Sequence, residues 1–298
     1  MDSLDTSQFQ ADILPILSDA ARLLAQATSE IKSTNAIVLI ESEGLFPELL
    51  SAINRLIRKL PAGNGIDIIL HSLGGTTDTA AAIASLCRVR FGSFRVVIPF
   101  LAKSAATLLA LAADDRLLAT SGQLGPVDPQ VLHPEKQIWF PAHSIREALE
   151  RVEATKDPLV KVAMADKLDP FLIGAYEDAI RASKQYIEQA IDAWQGVNKT
   201  AIVDTFIEKY KSHGYPIDCK VLKEIGVPHT SLEDKAERLL GDLHEKCMDV
   251  LDRYNREQGS IILTTDEYLF RLGEFQESGK FTIPIQLQLP ATKIVSAP

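Results

Sequence analysis

Between residues 36 and 120, short blocks of consecutive apolar residues alternate with longer stretches in which apolar positions recur every three or four residues. The blocks are "AIVLI" (36–40), "IDIIL" (66–70), "RVVIPF" (95–100) and "RLLAT" (116–120). They are short, mostly apolar and rich in β-branched residues, which is the pattern of strands buried on both faces. The intervening stretches read as helices: "LFPELLSAINRLIRKL" (45–60), one from a Gly-Gly turn to about Arg88, and one to about Ala113. Strand and helix in alternation predict an α/β core over roughly residues 30–130, with a largely parallel sheet and right-handed crossovers.

The flanks differ. The first thirty or so residues space Ile13, Leu14, Ile16, Leu17, Ala21, Leu23 and Leu24 as one face of an amphipathic helix. From 141 to 212 the chain becomes helical and more charged, through "AHSIREALERVEA", "DPFLIGAYEDAIRASKQYIEQAIDAWQG" and "AIVDTFIEKYKS"; a turn and two more helical stretches follow. The tail, "SIILTTDEYLFRLGEFQESGKFTIPIQLQLPATKIVSAP", places two alternating strands around "ESGK", a hairpin or a subunit contact. The organisation expected is an N-terminal helix (1–30), an α/β domain (31–235) and a helix-and-hairpin extension (236–298).

Composition narrows the class. The chain has 298 residues, 46% hydrophobic and 24% charged, with a net charge of −9. An acidic chain lacks the basic face that a nucleic-acid backbone requires, so nucleic acid is excluded as the expected partner. The start, "MDSLDTSQFQADILPILSDAARLL", is acidic and carries no apolar leader core, and no stretch approaches the roughly eighteen uninterrupted apolar residues of a membrane span. A cytoplasmic location is therefore expected. The three cysteines, Cys87, Cys219 and Cys247, form neither a disulfide framework nor a Cys-x-x-Cys pair, and Cys87 falls in an apolar helix pattern as a core residue. "HEKC" (244–247) offers one His and one Cys, too few for a zinc site. No metal or organic cofactor is implied, and no Gly-x-Gly-x-x-Gly fingerprint is present.

In open α/β sheets ligands sit beyond the carboxyl ends of the strands. Two loops there have unusual content: His71-Ser72-Leu73-Gly74-Gly75 and Leu101-Ala102-Lys103-Ser104. Paired glycines let backbone N–H groups approach a carbonyl oxygen with no Cβ in the way. Such donors form an oxyanion hole, where losing one typically costs about 2.7–4 kcal/mol of transition-state stabilisation. Ser104 opens the helix "SAATLLALAA", where the N–H of Ala105 supplies a second donor and the helix dipole favours negative charge. Taken singly, Gly-Gly also reads as a tight turn and Ser104 as a helix cap. The conjunction, with "GQLGPVDPQ" after the next strand, favours a site.

"HSLGG", "AKSAATLLALAAD" and "GQLGPVDPQ", in that order and spacing, resemble the serine dehydrogenase proteinase family, which is related to signal peptide peptidase A and more distantly to the Clp protease subunit and the crotonases. The likeness is strong over roughly 35–130 and recurs weakly at "SHGYPIDCKVLKEIGVP" (212–228). It implies a Clp/crotonase-type ββα superhelix with a helical C-terminal region. On that likeness Ser104 matches the nucleophile, Gly74 and Gly75 the oxyanion pair, and Ala105 the residue after the nucleophile. One departure is Ala106, where the family commonly has glycine.

The base for Ser104 is not obvious. The Clp-type histidine position falls near Val127 and Asp128, where there is none, and His133 is the nearest. The signal-peptide-peptidase type of lysine falls on Lys156, in "VEATKDPLV", with Lys161 and Lys167 close by. A desolvated lysine can be neutral and act as a base. Lys156 is the residue assigned here; Lys161, Lys167 and His213 stay open. Lys103 adjoins Ser104, but neighbouring side chains at a helix entrance diverge, leaving it to raise the local potential or bind a carboxylate. Asp128 is expected to hold loops, and His71 either lines the pocket or packs in its loop. The expected activity is a serine peptidase cleaving a peptide or protein substrate through an acyl-enzyme, in a homo-oligomer joined through 141–235 and the tail. The rivals are a non-catalytic oligomeric scaffold or peptide-binding member of the fold and an acyl-coenzyme A enzyme of crotonase type.

Overall fold

The computed structural model describes residues 6–42, 44–132, 138–254, 259–264, 267–272 and 285–288. The first half runs α1 (Thr6–Glu30), β1 (Ala36–Glu41), α2 (Pro47–Ile57), β2 (Ile66–Ser72), α3 (Thr77–Phe91), β3 (Phe94–Ile98), β4 (Leu101–Ala102), α4 (Ala105–Ala112), β5 (Asp115–Leu118) and β6 (Gln123–Leu124). A small hairpin of β7 (Gln130–Leu132) and β8 (Trp139–Pro141) leads to α5 (His143–Ala154), α6 (Pro158–Ala165), α7 (Pro170–Ala190) and α8 (Lys199–Asp204). A π-helical turn (Thr205–Lys209) extends α8; β9 (Ile217–Asp218), α9 (Cys219–Glu224), β10 (Thr230–Ser231), α10 (Asp234–Tyr254), β11 (Gly259–Leu263), β12 (Glu267–Leu272) and β13 (Ile285–Gln288) complete the order.

The main sheet has the order β10-β5-β3-β2-β1-β11-β12-β13. The five strands from β10 to β1 are parallel, as the alternation of strand and helix predicts, and β11 to β13 add antiparallel pairs on the other side of β1. The tail thus contributes three strands where the sequence pattern suggests two, because "SIIL" pairs with β1 as a strand in its own right. The "ESGK" expected between the hairpin strands lies outside the described residues. A short second layer, β2-β4-β6-β9, branches off at Ser72↔Ala102.

The mostly apolar strands feed two cores. On β1 to β3, Ile37, Leu39, Ile68, Leu70, Val96 and Ile98 point into a core shared with α2, α3 and α4. The alternate residues Val38, Ile40, Ile69 and Val97 point into a second, where Ile13, Leu17, Ala20 and Leu24 of α1 meet Leu240, Leu243, Cys247 and Val250 of α10. Side chains alternate faces with a period of two, so strands covered by helices on both sides are apolar along most of their length, and Asp67 of β2 is accommodated by its ion pair with Arg95 of β3 (2.6 Å). Cys87 is buried in the first core, as its helical spacing implies, and burial pushes its thiol up to about 12.

A buried arginine closes α4. Arg116 donates to the carbonyls of Ala110 (3.1 Å), Ala113 (2.5 Å) and Pro228 (2.9 Å), and its guanidinium lies 4.3 Å from the Trp194 ring centre. A cation on the free carbonyls of a helix C-terminus complements the helix dipole. The eight-residue α4, and the site at its other end, are held in place by this clasp.

Candidate active site

β4 stops at Ala102 and α4 starts at Ala105, so Lys103 and Ser104 form the elbow between them. Ser104 has φ 50° and ψ −121°, and its side chain makes no capping hydrogen bond. A serine serving as an N-cap adopts extended backbone and accepts an N–H of the first turn; Ser104 does neither. Holding a non-glycine residue in such a sparsely populated conformation costs roughly 1–3 kcal/mol. The Ala106 N–H is taken by the Lys103 carbonyl (2.9 Å), while the Ala105 N–H finds no acceptor among the described residues.

The Gly pair faces this elbow. A Cβ on Gly74 would lie 2.6 Å from the Ser104 Cβ and 3.2 Å from its Oγ, so only glycine lets the two loops meet. Gly74 donates its N–H to Ser72 Oγ (3.1 Å) and accepts from Leu45 (2.6 Å). Its N–H is therefore spent, whereas the exposed Gly75 that follows it donates its N–H to no acceptor among the described residues. On the far side, a Cβ on Gly75 would stand 2.2 Å from the Leu45 nitrogen, at a φ of +126°. Gly75→Ala should therefore displace the loop and lower the rate of reaction at Ser104 roughly 10²- to 10³-fold, the effect of removing an oxyanion donor; pseudo-first-order labelling rates of folded wild type and variant measure it.

The downstream motif wraps around Lys103. The Lys103 Nζ donates to Gln123 Oε1 (2.7 Å), the Leu124 carbonyl (2.9 Å) and the Tyr215 carbonyl (3.4 Å). Lys103 is 7% exposed, and burial pulls its ammonium down to about 8. A Cβ on Gly125 would sit 2.7 Å from Lys103 Cδ, which accounts for the second glycine of "GQLG". Thr107 of α4 joins the same layers, accepting from the Gly125 N–H and donating to the Ala102 carbonyl. Lys103 thus points away from Ser104, as the divergence of neighbouring side chains predicts, and toward protein oxygens.

Two residues read separately in the sequence come together. His213 Nδ1 lies 2.7 Å from Asp128 Oδ1, and Gln130 Nε2 donates to Asp128 Oδ2 at 2.7 Å. Asp128 is buried and His213 is partly open to solvent. A carboxylate at Nδ1 fixes the tautomer with its proton there and leaves the Nε2 lone pair free. The π-helical turn sets up this pairing: the Phe206 carbonyl accepts the Val127 N–H (2.8 Å), docking the residue next to Asp128 a few positions before His213. The stacked rings of Tyr210 and Tyr215, 3.9 Å apart, flank the turn that carries His213.

Lys156, Lys161 and Lys167 lie on the arm formed by α5, α6 and the following loop, and all three are exposed. The structure therefore gathers Gly74, Gly75, Ser104 and Ala105 at one rim and Asp128 with His213, while Lys156 stays in solvent. His71 turns to the opposite face of the sheet, its Nδ1 2.9 Å from His244 Nε2 and its ring stacked on Phe100. Burial and then the neighbouring His244 pull it down to about 4. His133 lies outside the described residues. The sequence carried no sign of the Lys103 cage, because its three acceptors come from β6 and from a turn over a hundred residues away.

The sequence profile of the ClpP-like SDH-type serine proteinase family matches residues 48–252, more than half of the chain. The chain belongs to that family. Its ββα architecture is the Clp-like fold, as the three motifs imply. Two uncharacterized proteins of Methanocaldococcus jannaschii, MJ0137 and MJ1495, are 31% and 29% identical over 174 and 190 residues, or 58% and 62% of this chain. The matches span 56% and 59% of those proteins' own lengths. Among solved structures, a 1510-N membrane-bound stomatin-specific protease in complex with a substrate peptide is 15% identical, covers 68% of this chain and 75% of its own, and has a TM-score of 0.43. ClpP1 from Listeria monocytogenes is 12% identical, covers 67% and 91%, and has a TM-score of 0.41. Among the described residues of this ClpP-like chain, no helix is long and apolar enough to cross a membrane.

Proposed function

We propose that this protein is a serine peptidase that acts through an acyl-enzyme on Ser104. The observation that carries the reading is the strained, uncapped Ser104 at the α4 N-terminus, in van der Waals contact with Gly74 and beside two unspent N–H donors. A nucleophile elbow exposes its hydroxyl at the expense of backbone strain, which a helix cap has no reason to do. The N–H groups of Gly75 and Ala105 would stabilise the tetrahedral oxyanion, with Gly74 supplying the close approach.

For the base we favour His213 over Lys156. Its Nδ1 is held by a buried carboxylate, the arrangement that stabilises an imidazolium as it forms, whereas Lys156 is exposed. In the reaction, Ser104 Oγ bonds to the scissile carbonyl carbon as its proton passes to His213 Nε2. Collapse of the oxyanion breaks the C–N bond and the same proton goes to the leaving amine. Water, deprotonated by His213, then cleaves the Ser104 ester and regenerates the hydroxyl. The substrate class is a peptide or protein chain, and the setting we propose is a cytoplasmic homo-oligomer. Leu159, Val162 and Phe171 on α6 and α7 are 83%, 68% and 90% exposed, an apolar face suited to contact between copies.

The test is a fluorophosphonate probe on the intact protein, with the adduct mapped by mass spectrometry. An adduct on Ser104 is the expected result. A folded sample that takes up no probe, or takes it up elsewhere, overturns the assignment and favours a scaffold or acyl-coenzyme A role.

A further inference from the structure

We propose that Lys103 is a positioning residue, which locks the turn carrying His213 against the Ser104 elbow by donating to the Tyr215 carbonyl from between Gln123 and Leu124. The proposal rests on the reading of Ser104 as nucleophile and His213 as base.

Lys103 is an expensive way to fill its space. All three of its acceptors are neutral: two carbonyls and a side-chain amide. A buried ammonium with no carboxylate partner costs far more than an apolar side chain of the same length. The fold nevertheless accommodates it at both ends, with a glycine at 125 to admit the stem and with oxygens converging on the head. The backbone of Lys103 is committed as well, its N–H to Ser72 (2.9 Å) and its carbonyl to Ala106 (2.9 Å). One residue therefore touches the oxyanion loop, the first turn of α4, β6 and the 212–217 turn. His213 lies two residues before Tyr215, so this tether limits how far its ring can move from Ser104 when Asp128 alone would let it pivot.

Protonation matters to this tether because an ammonium has three N–H groups for three acceptors and an amine has two. The longest of the three bonds, to Tyr215, is the first to be given up. With the ammonium drawn down to about 8, reactivity should fall as pH rises through that value. The titratable or charged groups on the elements packed against Lys103 are the Asp128–His213 pair, Tyr210 with Lys209 over its ring, Tyr215, and Asp218 opposite Gln123 in the β6–β9 pairing. On β2, His71 faces α10 instead.

The experiment follows fluorophosphonate reaction at Ser104 against pH in wild type, Lys103→Met and Gly125→Ala. The low-field proton resonance of the His213 Nδ1–H is recorded in the same samples. Lys103→Met keeps the stem and removes the donors; Gly125→Ala keeps the ammonium and displaces the stem, so either serves if the other does not fold. The expected result is a maximal rate lower by roughly 10- to 100-fold with the probe's apparent affinity unchanged, the scale of a catalytic group displaced by about an ångström. The alkaline fall near pH 8 disappears in Lys103→Met, and the His213 resonance broadens or is lost. A folded Lys103→Met that retains the wild-type rate, pH profile and resonance overturns the positioning role while leaving the peptidase reading standing. A wild type whose Ser104 does not react overturns the peptidase reading itself, and the positioning role with it.

Discussion

Ser104→Ala and Ser104→Gly should both be inert toward a fluorophosphonate, and the glycine variant should be the more stable of the two. Loss of reaction follows from loss of Oγ and is expected to be complete. The stability order follows from the backbone. At φ 50° and ψ −121° an alanine retains the strain of the wild-type serine, whereas glycine adopts the conformation freely. Roughly 1–3 kcal/mol of strain is relieved, offset by about 0.5–1 kcal/mol for the greater chain entropy glycine loses on folding, for a net of about 0–2.5 kcal/mol in favour of glycine. Urea unfolding of the two variants side by side measures it. Alanine the more stable would mean that the elbow stores no strain. Stability given up at a reacting residue is a common trade in enzymes.

His213→Ala and Asp128→Asn should slow acylation of Ser104 by roughly 10²- to 10⁴-fold, the usual weight of a positioned general base. The asparagine variant is the sharper probe. It preserves the volume of the buried side chain but offers an N–H in place of an oxygen, turning the His213 proton toward Nε2 and presenting the wrong tautomer to the serine. Removing Asp128 altogether would also leave Gln130 Nε2 without its acceptor, so stability has to be measured beside rate. Lys156→Ala is expected to react at the wild-type rate. If instead the lysine variant is dead and both members of the pair are unaffected, the base lies on the α5–α6 arm and His213 is a structural residue.

Strand positions were legible because burial on both faces leaves one signal, a run that is apolar almost throughout, and the runs at 36–40 and 66–70 lie within β1 and β2. The meeting of the Gly-Gly loop with Ser104 was legible as well, since local backbone demands are written in single residues. "RVVIPF" has the pattern of one strand, but the chain turns at Pro99 and Phe100 and starts the second layer with β4, a break that carries no change in hydrophobicity. Asp128 and His213 could be named but not joined: 85 positions separate them, and nothing local to either one specifies the other. The same holds for Lys103, which adjoins Ser104 in sequence while its side chain meets Gln123, Leu124 and Tyr215. Long-range polar pairings are set by how layers stack, and hydrophobic periodicity is blind to that.

The place of β11 bears on how the chain matures. β1 leaves the ribosome well before its partner on one side, Gly259–Leu263; α1 likewise waits for α10 to cover its apolar face. During synthesis the protein therefore carries an open strand edge and an unfilled hydrophobic layer until α10 and β11 have emerged, the state most prone to wrong association. Arrival of α10 and β11 is the step that ends this exposure, and α1 can reach its final packing only once that step is taken.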